Sequence, residues 1–537
     1  MTSRLRRFAR NDTASSCHFE ERSDEATSTG VWFRSVLARF SHVAEASWQL
    51  LAINPFAILA GVALIFALLL TAKNGLTITH LFEKNYNEGW NIYNAQRLIN
   101  GEHIYDDNYW RVNNYPIGSF LIVTGVNLLI GDLLLSGRIV ALISFVAIGV
   151  LAASATRSLG GKGTDAVFGA ACALGFCYLV APGWIVADDP QTLGEAAVLA
   201  GLVSYLSRPP DNLCLLRTAF LIVMGGFIKH NLLAIPGAIT LDLAVRSPRR
   251  LPFWFACCGG FAAGFLGLTQ LVGGGAFIDH LLSPRIFTWY GVRYHLLKYL
   301  RLFKFPLLAI VLGCRLAFPA PRFILAAWGA SSIVLAAIFS GFEGASYNMF
   351  QDAAVFLGVA AGVLFCELRK AVTIRSRFAK LLAGAAALLL AQPILTRAPN
   401  ALLQLSRTGA ELESDRQAEA TFLTDASYIA ARGPAICESL LLCYVARQPF
   451  ILDPFNSRQY ILAGKLDEAQ LIARITAHEF GVIQLRGDIC DDPATASCHI
   501  LHYHQIFNRF TDETLYALDR YYEIGRRSRY GTFYVPK

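Results

Sequence analysis

Long apolar segments recur along most of this sequence and constrain its fold more than any other feature. A helix needs ~20 residues to cross the ~30 Å hydrocarbon core of a bilayer, and most of the segments approach that length. They occupy residues 54–72, 137–156, 166–186, 192–206, 217–228, 231–245, 251–272, 305–319, 323–341, 349–367 and 379–396. Because 54% of the residues are hydrophobic and only 16% are charged, a soluble fold is excluded. We predict a polytopic α-helical membrane protein with about 11 transmembrane helices.

Basic residues between the apolar segments indicate which side of the membrane each loop occupies. Segment 116–135 is the ambiguous one. Counted as a span, it would place Arg157 and Lys162 outside. Treated as a juxtamembrane or re-entrant helix, it leaves the basic clusters in the cytoplasm, as the positive-inside rule expects. We favour this second arrangement, with a cytoplasmic N-terminus. It makes residues 217–245 two short crossings, and a single crossing there is the alternative.

Composition divides the chain into three parts. Residues 1–50 mix charged residues and Ser with little apolar periodicity, which is typical of a disordered arm, here cytoplasmic. Residues 51–397 carry the apolar segments and the polar loop 74–115. In residues 398–537, β-like runs at 434–437, 450–452, 482–485 and 532–535 alternate with helix-like stretches at 467–478 and 512–522. This alternation predicts a soluble α/β domain, which the favoured topology places outside.

Four polar regions share the outer face in this topology. They are loop 74–115, the pair Asp188 and Asp189, loop 273–304, and residues 343–348. Ionisable groups at membrane depth are costly and usually line a polar cavity. We therefore predict one functional site on the outer side of the membrane, built from all four regions.

The cysteines of the C-terminal part are consistent with an outer location. Cys437, Cys443, Cys490 and Cys498 form an even set in residues 398–537, and an oxidising compartment favours two disulfides. Of three possible connectivities we prefer the local pairs, Cys437 with Cys443 and Cys490 with Cys498. Four free thiols are the alternative. A zinc site is disfavoured, because the spacings are not the short pairs that such sites use.

Residues in and after loop 74–115 form an ordered pattern. It consists of Glu88, Tyr93, Ala95, Arg97, Leu98, Gly101, Glu102 and Tyr105, then Asn114, Tyr115 and Pro116 opening an apolar helix, then Gly131, Asp132 and Arg138. In this order and spacing the chain resembles the GT-C superfamily of membrane glycosyltransferases. The similarity is to the branch with protein O-mannosyltransferase-like, aminoarabinose transferase-like and family 87 enzymes, and it covers most of residues 54–400.

The resemblance implies an activity and a catalytic acid. Such enzymes move a sugar from a polyprenyl-phosphate carrier to an acceptor hydroxyl on a glycolipid, a polysaccharide or a protein, with a carboxylate of the first outer loop as base. Relatives commonly have Asp-Glu there, whereas this chain has Asn87-Glu88. Either Glu88 takes over the role, or the acid is Asp188 or Asp189.

Reaction chemistry alone leads to a similar site. A lipid phosphate is a stable leaving group, so the enzyme must mainly deprotonate the attacking hydroxyl and neutralise the departing anion. A single displacement inverts the anomeric centre. Glu88 is our candidate base, with helix capping or a pair with Arg97 as the alternative. For Asp188 and Asp189 the alternative is an N-cap before Pro190.

Cations, aromatic side chains and amides provide the candidate substrate-binding residues. They are Arg97, Tyr93, Tyr115, Lys229, His230, Arg285, Arg293 and Asn348. Lys229 and His230 interrupt an apolar stretch and could bind the carrier phosphate, whereas snorkelling to the interface is the alternative. Arg285 and Arg293 lie among aromatic residues, which suits a lipid phosphate or an ordinary aromatic belt.

Other protein classes are weighed against this prediction. A transporter or flippase of lipid-linked sugars would usually show paired halves with matching interrupted helices, and we find no such symmetry. A non-catalytic lipid-binding homologue stays open because of Asn87. We predict no metal ligands and no firm cofactor beyond a possible divalent cation. The net charge of +8 does not indicate a nucleic-acid partner, because the basic residues cluster between apolar segments as the positive-inside rule expects. We expect membrane lipid as a partner. We expect a bacterial-type plasma membrane location.

Overall fold

The computed structural model describes residues 55–313, 322–372, 377–490, 499–500 and 509–537. The predicted arm, residues 1–50, lies outside them. The first fifteen helices that we number precede the sheet of the C-terminal part. They are α1 (Pro55–Leu76), α2 (Asn87–Ile99), α3 (Gly118–Ile130), α4 (Leu133–Ser158), α5 (Gly163–Val180), α6 (Pro190–Leu206), α7 (Asn212–Gly226), α8 (Ala234–Arg246), α9 (Leu251–Gly273), α10 (Phe277–Leu281), α11 (Trp289–Leu312), α12 (Phe323–Phe339), α13 (Gln351–Ala371), α14 (Arg377–Ser406) and α15 (Thr408–Ala430).

Where the structure describes it, each apolar segment of the sequence overlaps one of these helices, and residues 54 and 314–319 lie outside the described ranges. Within the described residues, six helices are long and apolar enough to cross a membrane: α1, α4, α5, α9, α13 and α14. The polytopic helical fold is therefore confirmed. The ambiguous segment contains α3, whose 13 residues span only about 20 Å at ~1.5 Å per residue. This is shorter than a bilayer core, as a juxtamembrane helix would be.

The structure adds detail to two regions of the sequence. Residues 273–304, which the sequence indicated as a loop, contain α10 and the start of α11 at Trp289. The side-chain hydroxyl of Thr288 accepts a hydrogen bond from the amide of Gly291 and caps that helix. Residues 217–245 form two separate helices, α7 and α8, and the break between them contains Lys229 and His230.

Helix α13 lies at the centre of the bundle and is buried along nearly all of its length. Its closest neighbour is α5, and small residues permit the approach. A Cβ added at Gly358 would lie 2.4 Å from the Cα of Ala173, and one at Gly362 would lie 2.8 Å from the Cα of Gly169. Close backbone contact of this kind is how helices gain packing energy in lipid.

The C-terminal part is an α/β domain around a four-stranded sheet. Its elements are β1 (Ala435–Cys437), α16 (Leu440–Val445), α17 (Pro454–Leu462), α18 (Glu468–Thr476), β2 (Val482–Leu485), β3 (Ile489–Cys490), β4 (His499–Ile500), α19 (Asp512–Tyr521), β5 (Tyr522–Ser528) and β6 (Gly531–Pro536). The strand order is β1-β2-β6-β5, with β1 and β2 parallel and the other pairs antiparallel. The short β3 and β4 pair separately.

The predicted strand at 450–452 is wrong. These residues join no described sheet. The chain there turns toward residues 108–112, where the amide of Asp453 donates to the carbonyl of Trp110 at 2.7 Å. A disulfide joins Cys437 to Cys443. Cys498 lies outside the described residues, so the second predicted pair is not described.

The C-terminal domain packs directly on α2 of the first outer loop. A Cβ added at Gly89 would lie 2.0 Å from the amide nitrogen of Leu441, so only glycine fits there. Tyr93 extends the contact, since its ring stacks on Phe450 and its hydroxyl donates to the carbonyl of Gln448 at 2.8 Å. The first loop and the C-terminal domain therefore form one continuous body around the site described below.

Candidate functional site

Two adjoining cavities lie between the first outer loop, the break between α7 and α8, and the C-terminal domain. The first has a volume of about 390 Å³ and is lined by Asn114, Tyr115, Lys229, His230, Asn231, Leu281, Leu282, Ser283, Arg285, Phe339, Phe342, Glu343, Gly344, Ala345 and Met349. The second has a volume of about 280 Å³, and its lining includes Lys84, Tyr86, Asn87, Trp184, Asn348, Asp453, Arg486 and Arg509. Tyr115 and Arg285 belong to both linings, so the two spaces meet at these side chains.

Lys229 provides a buried cation at the first cavity. It is 2% exposed, and its Nζ lies 3.6 Å from the centroid of the Tyr115 ring. It makes no salt bridge with any carboxylate of the described residues. Burial lowers the pKa of Lys229 to about 8, while the negative charge of Asp189 opposes the shift. An ammonium without a carboxylate partner in an apolar wall is suited to an incoming anion.

His230 lies beside Lys229 but does not add a second charge. Burial, and then the charge of Lys229, lowers the pKa of His230 to about 3, so the imidazole is neutral. Its Nδ1 has no hydrogen-bond partner among the described residues. The ring can therefore offer one hydrogen bond to a ligand, and the cation of this pair is Lys229.

Arg285 connects the two cavities and the two parts of the protein. Its Nη1 donates to the carbonyl of Glu343 at 3.1 Å, and its Nη2 donates to Oδ1 of Asn456 at 3.2 Å. The guanidinium carbon lies 5.0 Å from the centroid of the Phe455 ring. The side chain is thus held by neutral groups, and its charge is available to a ligand at the junction of the cavities.

Asn87 and Tyr115 line the second cavity, and Asp189 lies behind them in one hydrogen-bonded group. The amide Nδ2 of Asn87 donates to Oδ2 of Asp189 at 2.8 Å and to the hydroxyl of Tyr115 at 3.0 Å. Oδ1 of Asp189 accepts from the amide of Gln191 at 2.9 Å and caps α6, which begins at Pro190. Burial, and then Asp189, raise the pKa of Tyr115, so its hydroxyl stays protonated and can donate.

Glu88 does not face either cavity, contrary to the role of base predicted for it. Its carboxylate is fully buried and forms a two-point ion pair with Arg138, with Nε to Oε1 and Nη2 to Oε2 both at 2.7 Å. The same carboxylate accepts from the backbone amides of Lys84 and Asp188. All its acceptor directions are occupied by protein groups, and the predicted alternative pair with Arg97 is not formed.

Asp188 is also placed away from the cavities. A Cβ added at Gly137 of α4 would lie 2.2 Å from the Cγ of Asp188, which shows how closely the carboxyl group packs on that helix. Burial, and then the charges of Glu88 and Asp189, raise the pKa of Asp188 well above its ordinary value. A carboxyl group that is neutral and enclosed is not suited to act as a base.

The other predicted residues divide between the cavities and the surrounding structure. Asn348 lines the second cavity, and its Oδ1 has no partner among the described residues. Arg97 binds Glu102, Asp106 and two loop carbonyls. It lines a separate groove of about 560 Å³ that Tyr93 also lines. Arg293 is exposed on α11, because the helical period turns Gly291 and His295 inward and Arg293 outward.

Several residues of the C-terminal domain reach the site without having been predicted. Asp453 accepts from the hydroxyl of Tyr86 at 2.6 Å, and burial raises its pKa. Arg486 and Arg509 belong to the same wall. In the sequence, Asp453 before Pro454 is a typical helix start, and no local signal relates any of these residues to the first outer loop.

No metal centre is found in the described part of the chain. Groups of three or more His, Cys, Asp or Glu side chains with a geometry for a metal ion are absent from those residues. The second cavity presents Asp453 as its carboxylate together with four cations, a donor set that does not suit a divalent cation.

Comparison with known proteins gives the class of fold. No protein-family model matches the sequence, and no curated protein is significantly similar to it. The crystal structure of ArnT from Cupriavidus metallidurans bound to undecaprenyl phosphate matches 89% of this chain and 97% of its own, with 13% identity and a TM-score of 0.51. Its apo state matches 91% and 98%, with 13% identity and a TM-score of 0.50.

A second protein appears in the same comparison. Archaeal oligosaccharyltransferase AglB from Archaeoglobus fulgidus, in complex with an inhibitory peptide and a dolichol-phosphate, matches 89% of this chain and 74% of its own, with 13% identity and a TM-score of 0.48. ArnT and AglB are GT-C superfamily glycosyltransferases. The predicted resemblance in fold to that superfamily is confirmed through ArnT.

Proposed function

We propose that this chain is a membrane glycosyltransferase that moves a sugar from a polyprenyl-phosphate carrier to an acceptor hydroxyl on the outer face of a bacterial-type plasma membrane. The observation that carries the proposal is the buried cation Lys229, which adjoins Arg285 in an apolar cavity and has no carboxylate partner among the described residues. ArnT, a structural neighbour of this chain, has been solved with undecaprenyl phosphate bound. An anionic phosphate on an apolar chain is the kind of ligand that this cavity fits.

The first cavity would hold the phosphate end of the carrier. Phe339, Phe342 and Leu281 supply apolar wall for the first isoprenyl units, and Lys229 and Arg285 supply two positive charges. A sugar-phosphate-lipid diester carries one negative charge, which increases as the sugar departs. The two cations and the protonated hydroxyl of Tyr115 therefore stabilise the transition state more than the ground state, which accelerates the reaction.

Asp189 is the acid that we assign as general base. Asp188 is neutral and Glu88 is occupied by Arg138, whereas Asp189 adjoins the second cavity through one amide, that of Asn87. Rotation of the Asn87 side chain would open Oδ2 of Asp189 to an acceptor hydroxyl in the second cavity. The hydroxyl proton passes to Asp189, the hydroxyl oxygen bonds to the anomeric carbon, and the phosphate leaves with the bonding pair. A single displacement of this kind inverts the anomeric centre.

Binding and turnover together test the proposal. Purified full-length protein in lipid nanodiscs would be titrated with undecaprenyl phosphate, and the wild type should bind it while the Lys229→Gln variant loses at least tenfold in affinity. The exposed Arg293→Gln variant is the matched control and should bind as the wild type does. Labelled lipid-linked sugars are then supplied with membrane glycolipids and proteins as acceptors. Absence of carrier binding, or movement of the lipid-linked sugar between leaflets without transfer, would overturn the assignment.

A further inference from the structure

The second cavity carries more positive charge than a lipid carrier requires. Its lining contains the cations Lys84, Arg285, Arg486 and Arg509, and the carboxylate Asp453. If Lys229 and Arg285 bind the carrier phosphate, their two positive charges already neutralise its one or two negative charges. The arginines that the C-terminal domain contributes to the opposite wall are left without a role in carrier binding.

Arg509 is the least satisfied of these cations. Its guanidinium carbon lies 3.4 Å from the centroid of the Tyr86 ring. Oε1 of Glu438 lies 3.9 Å from Nε of Arg509. This distance is too long for a hydrogen bond. Nη1 of Arg509 is buried and has no hydrogen-bond partner among the described residues. A buried N–H donor of a permanently charged group costs free energy when it has no hydrogen-bond partner, unless a ligand supplies an acceptor.

Arg486 adjoins Arg509 and is oriented by the first outer loop. Its Nη2 donates to Oε2 of Glu83 at 2.8 Å, and its side chain is 43% exposed. The ring of Tyr86 lies within 6.0 Å of both guanidinium carbons, so the two arginines flank one aromatic side chain. Burial also raises the pKa of Glu83, so its carboxylate neutralises the charge of Arg486 less completely.

We propose that the second cavity binds a reactant that carries a carboxylate or phosphate group, and that Arg509, supported by Arg486, recognises this group. A planar guanidinium held over an aromatic ring can donate two parallel hydrogen bonds to either anion. The anionic group belongs either to the transferred sugar or to the acceptor. The inference rests on the proposed function only in assigning Lys229 and Arg285 to the carrier phosphate.

Charge-matched probes test the inference. Glucuronate, glucose 6-phosphate and glucose would be titrated into the full-length protein in nanodiscs, with the fluorescence of Trp184 and Trp90 as the signal, because both side chains line the cavity. At least one of the two anionic probes should bind at least tenfold more tightly than glucose, with a preference that falls as salt increases. Arg509→Gln should abolish the preference, and Arg509→Lys should retain part of it. Arg527→Gln, on an exposed strand side chain, should leave it unchanged.

The source of the anion is distinguished with lipid-linked donors. If the sugar carries it, undecaprenyl-phosphate-glucuronate should bind more tightly than undecaprenyl-phosphate-glucose, and Arg509→Gln should remove the difference. If the acceptor carries it, the two donors should bind equally, and glucose 6-phosphate should still bind to carrier-loaded protein. Equal binding of all three free sugars would overturn the inference. So would a loss of undecaprenyl phosphate affinity in Arg509→Gln as large as that in Lys229→Gln, because Arg509 would then serve the carrier. Failure of the wild type to bind undecaprenyl phosphate would instead count against the proposed function.

Discussion

Glu88 and Arg138 form a fully buried, two-point ion pair that joins several chain segments. Besides Glu88, the guanidinium of Arg138 binds the carbonyls of Ile78, His80 and Phe82. Glu88 accepts from the amide of Asp188. The pair thus joins the segment before α2, α2 itself, α4 and the turn before α6.

Loss of this ion pair should destabilise the protein. In Glu88→Gln the guanidinium of Arg138 stays buried without a counter-charge, and breaking such a pair costs about 3–5 kcal/mol. We expect a clear decrease in the melting temperature of the purified protein. Glu413→Gln, which removes an exposed pair with Arg416, should change stability by at most ~1 kcal/mol. A Glu88→Gln protein with wild-type stability and no turnover would show that Glu88 is catalytic.

Much of the fold follows from the sequence, because burial in lipid leaves a strong pattern of apolar segments. The sequence also indicates Lys229, since a charged group that interrupts an apolar stretch needs a polar cavity, and it indicates Arg285 through its aromatic neighbours. It does not distinguish Glu88 from Asp189, because which carboxylate meets Arg138 depends on the packing of α2 on α4. The local sequence around Glu88 contains no trace of a partner fifty residues away.

The contribution of the C-terminal domain could not be predicted from the sequence. Asp453 and Arg509 approach the cavity only because α16 docks on α2 and the chain then turns toward Trp110. Such contacts join residues more than 300 positions apart in the sequence. The periodicity of apolar residues gives no information about them. Arg293 was selected from its basic and aromatic neighbours, and that choice ignored the helical period. The period turns its side chain away from the cavity.

Asp189→Asn should abolish most of the turnover and leave carrier binding within about twofold of the wild type. General base catalysis contributes typically ~10²–10⁴-fold, so we expect a decrease in kcat of at least about 100-fold. Asp188→Asn is the matched control. Because the carboxyl group of Asp188 is neutral, its amide should support nearly normal turnover. Equal losses in the two variants would contradict the assignment of Asp189. Single-turnover assays with labelled donor separate the chemical step from binding.

Carrier binding should weaken at alkaline pH. Burial lowers the pKa of Lys229 to about 8, below its ordinary value, so the ammonium is fully present below that pH and is lost above it. The affinity for undecaprenyl phosphate should be constant up to about pH 7 and then fall by up to about tenfold per pH unit. In Lys229→Arg the guanidinium stays charged, and the alkaline decrease should disappear. A wild-type affinity that is independent of pH up to 9.5 would show that Lys229 does not bind the phosphate.

Asn87→Asp should shift the pH dependence of turnover. The substitution places a second carboxyl group about 2.8 Å from Oδ2 of Asp189, and two adjacent carboxylates cannot both ionise freely. The base then requires a higher pH, so the acidic limb of the kcat profile should move upward by more than about one pH unit. Asn108→Asp, at an exposed position of the same loop, is the control and should leave the limb in place. An unshifted profile for Asn87→Asp would mean that residues 87 and 189 are not in contact during turnover.

Gly89→Ala should loosen the contact between α2 and the C-terminal domain. The added Cβ would lie 2.0 Å from the amide nitrogen of Leu441, so α16 must shift, and overpacking of this kind costs typically 1–3 kcal/mol. We expect a lower melting temperature and faster proteolysis within residues 398–537. Gly125→Ala in α3 is the matched control, because nothing lies within 4 Å of its added Cβ and alanine favours a helix. If both variants melt as the wild type does, the domain is not packed on α2, and Asp453 and Arg509 would not belong to the second cavity.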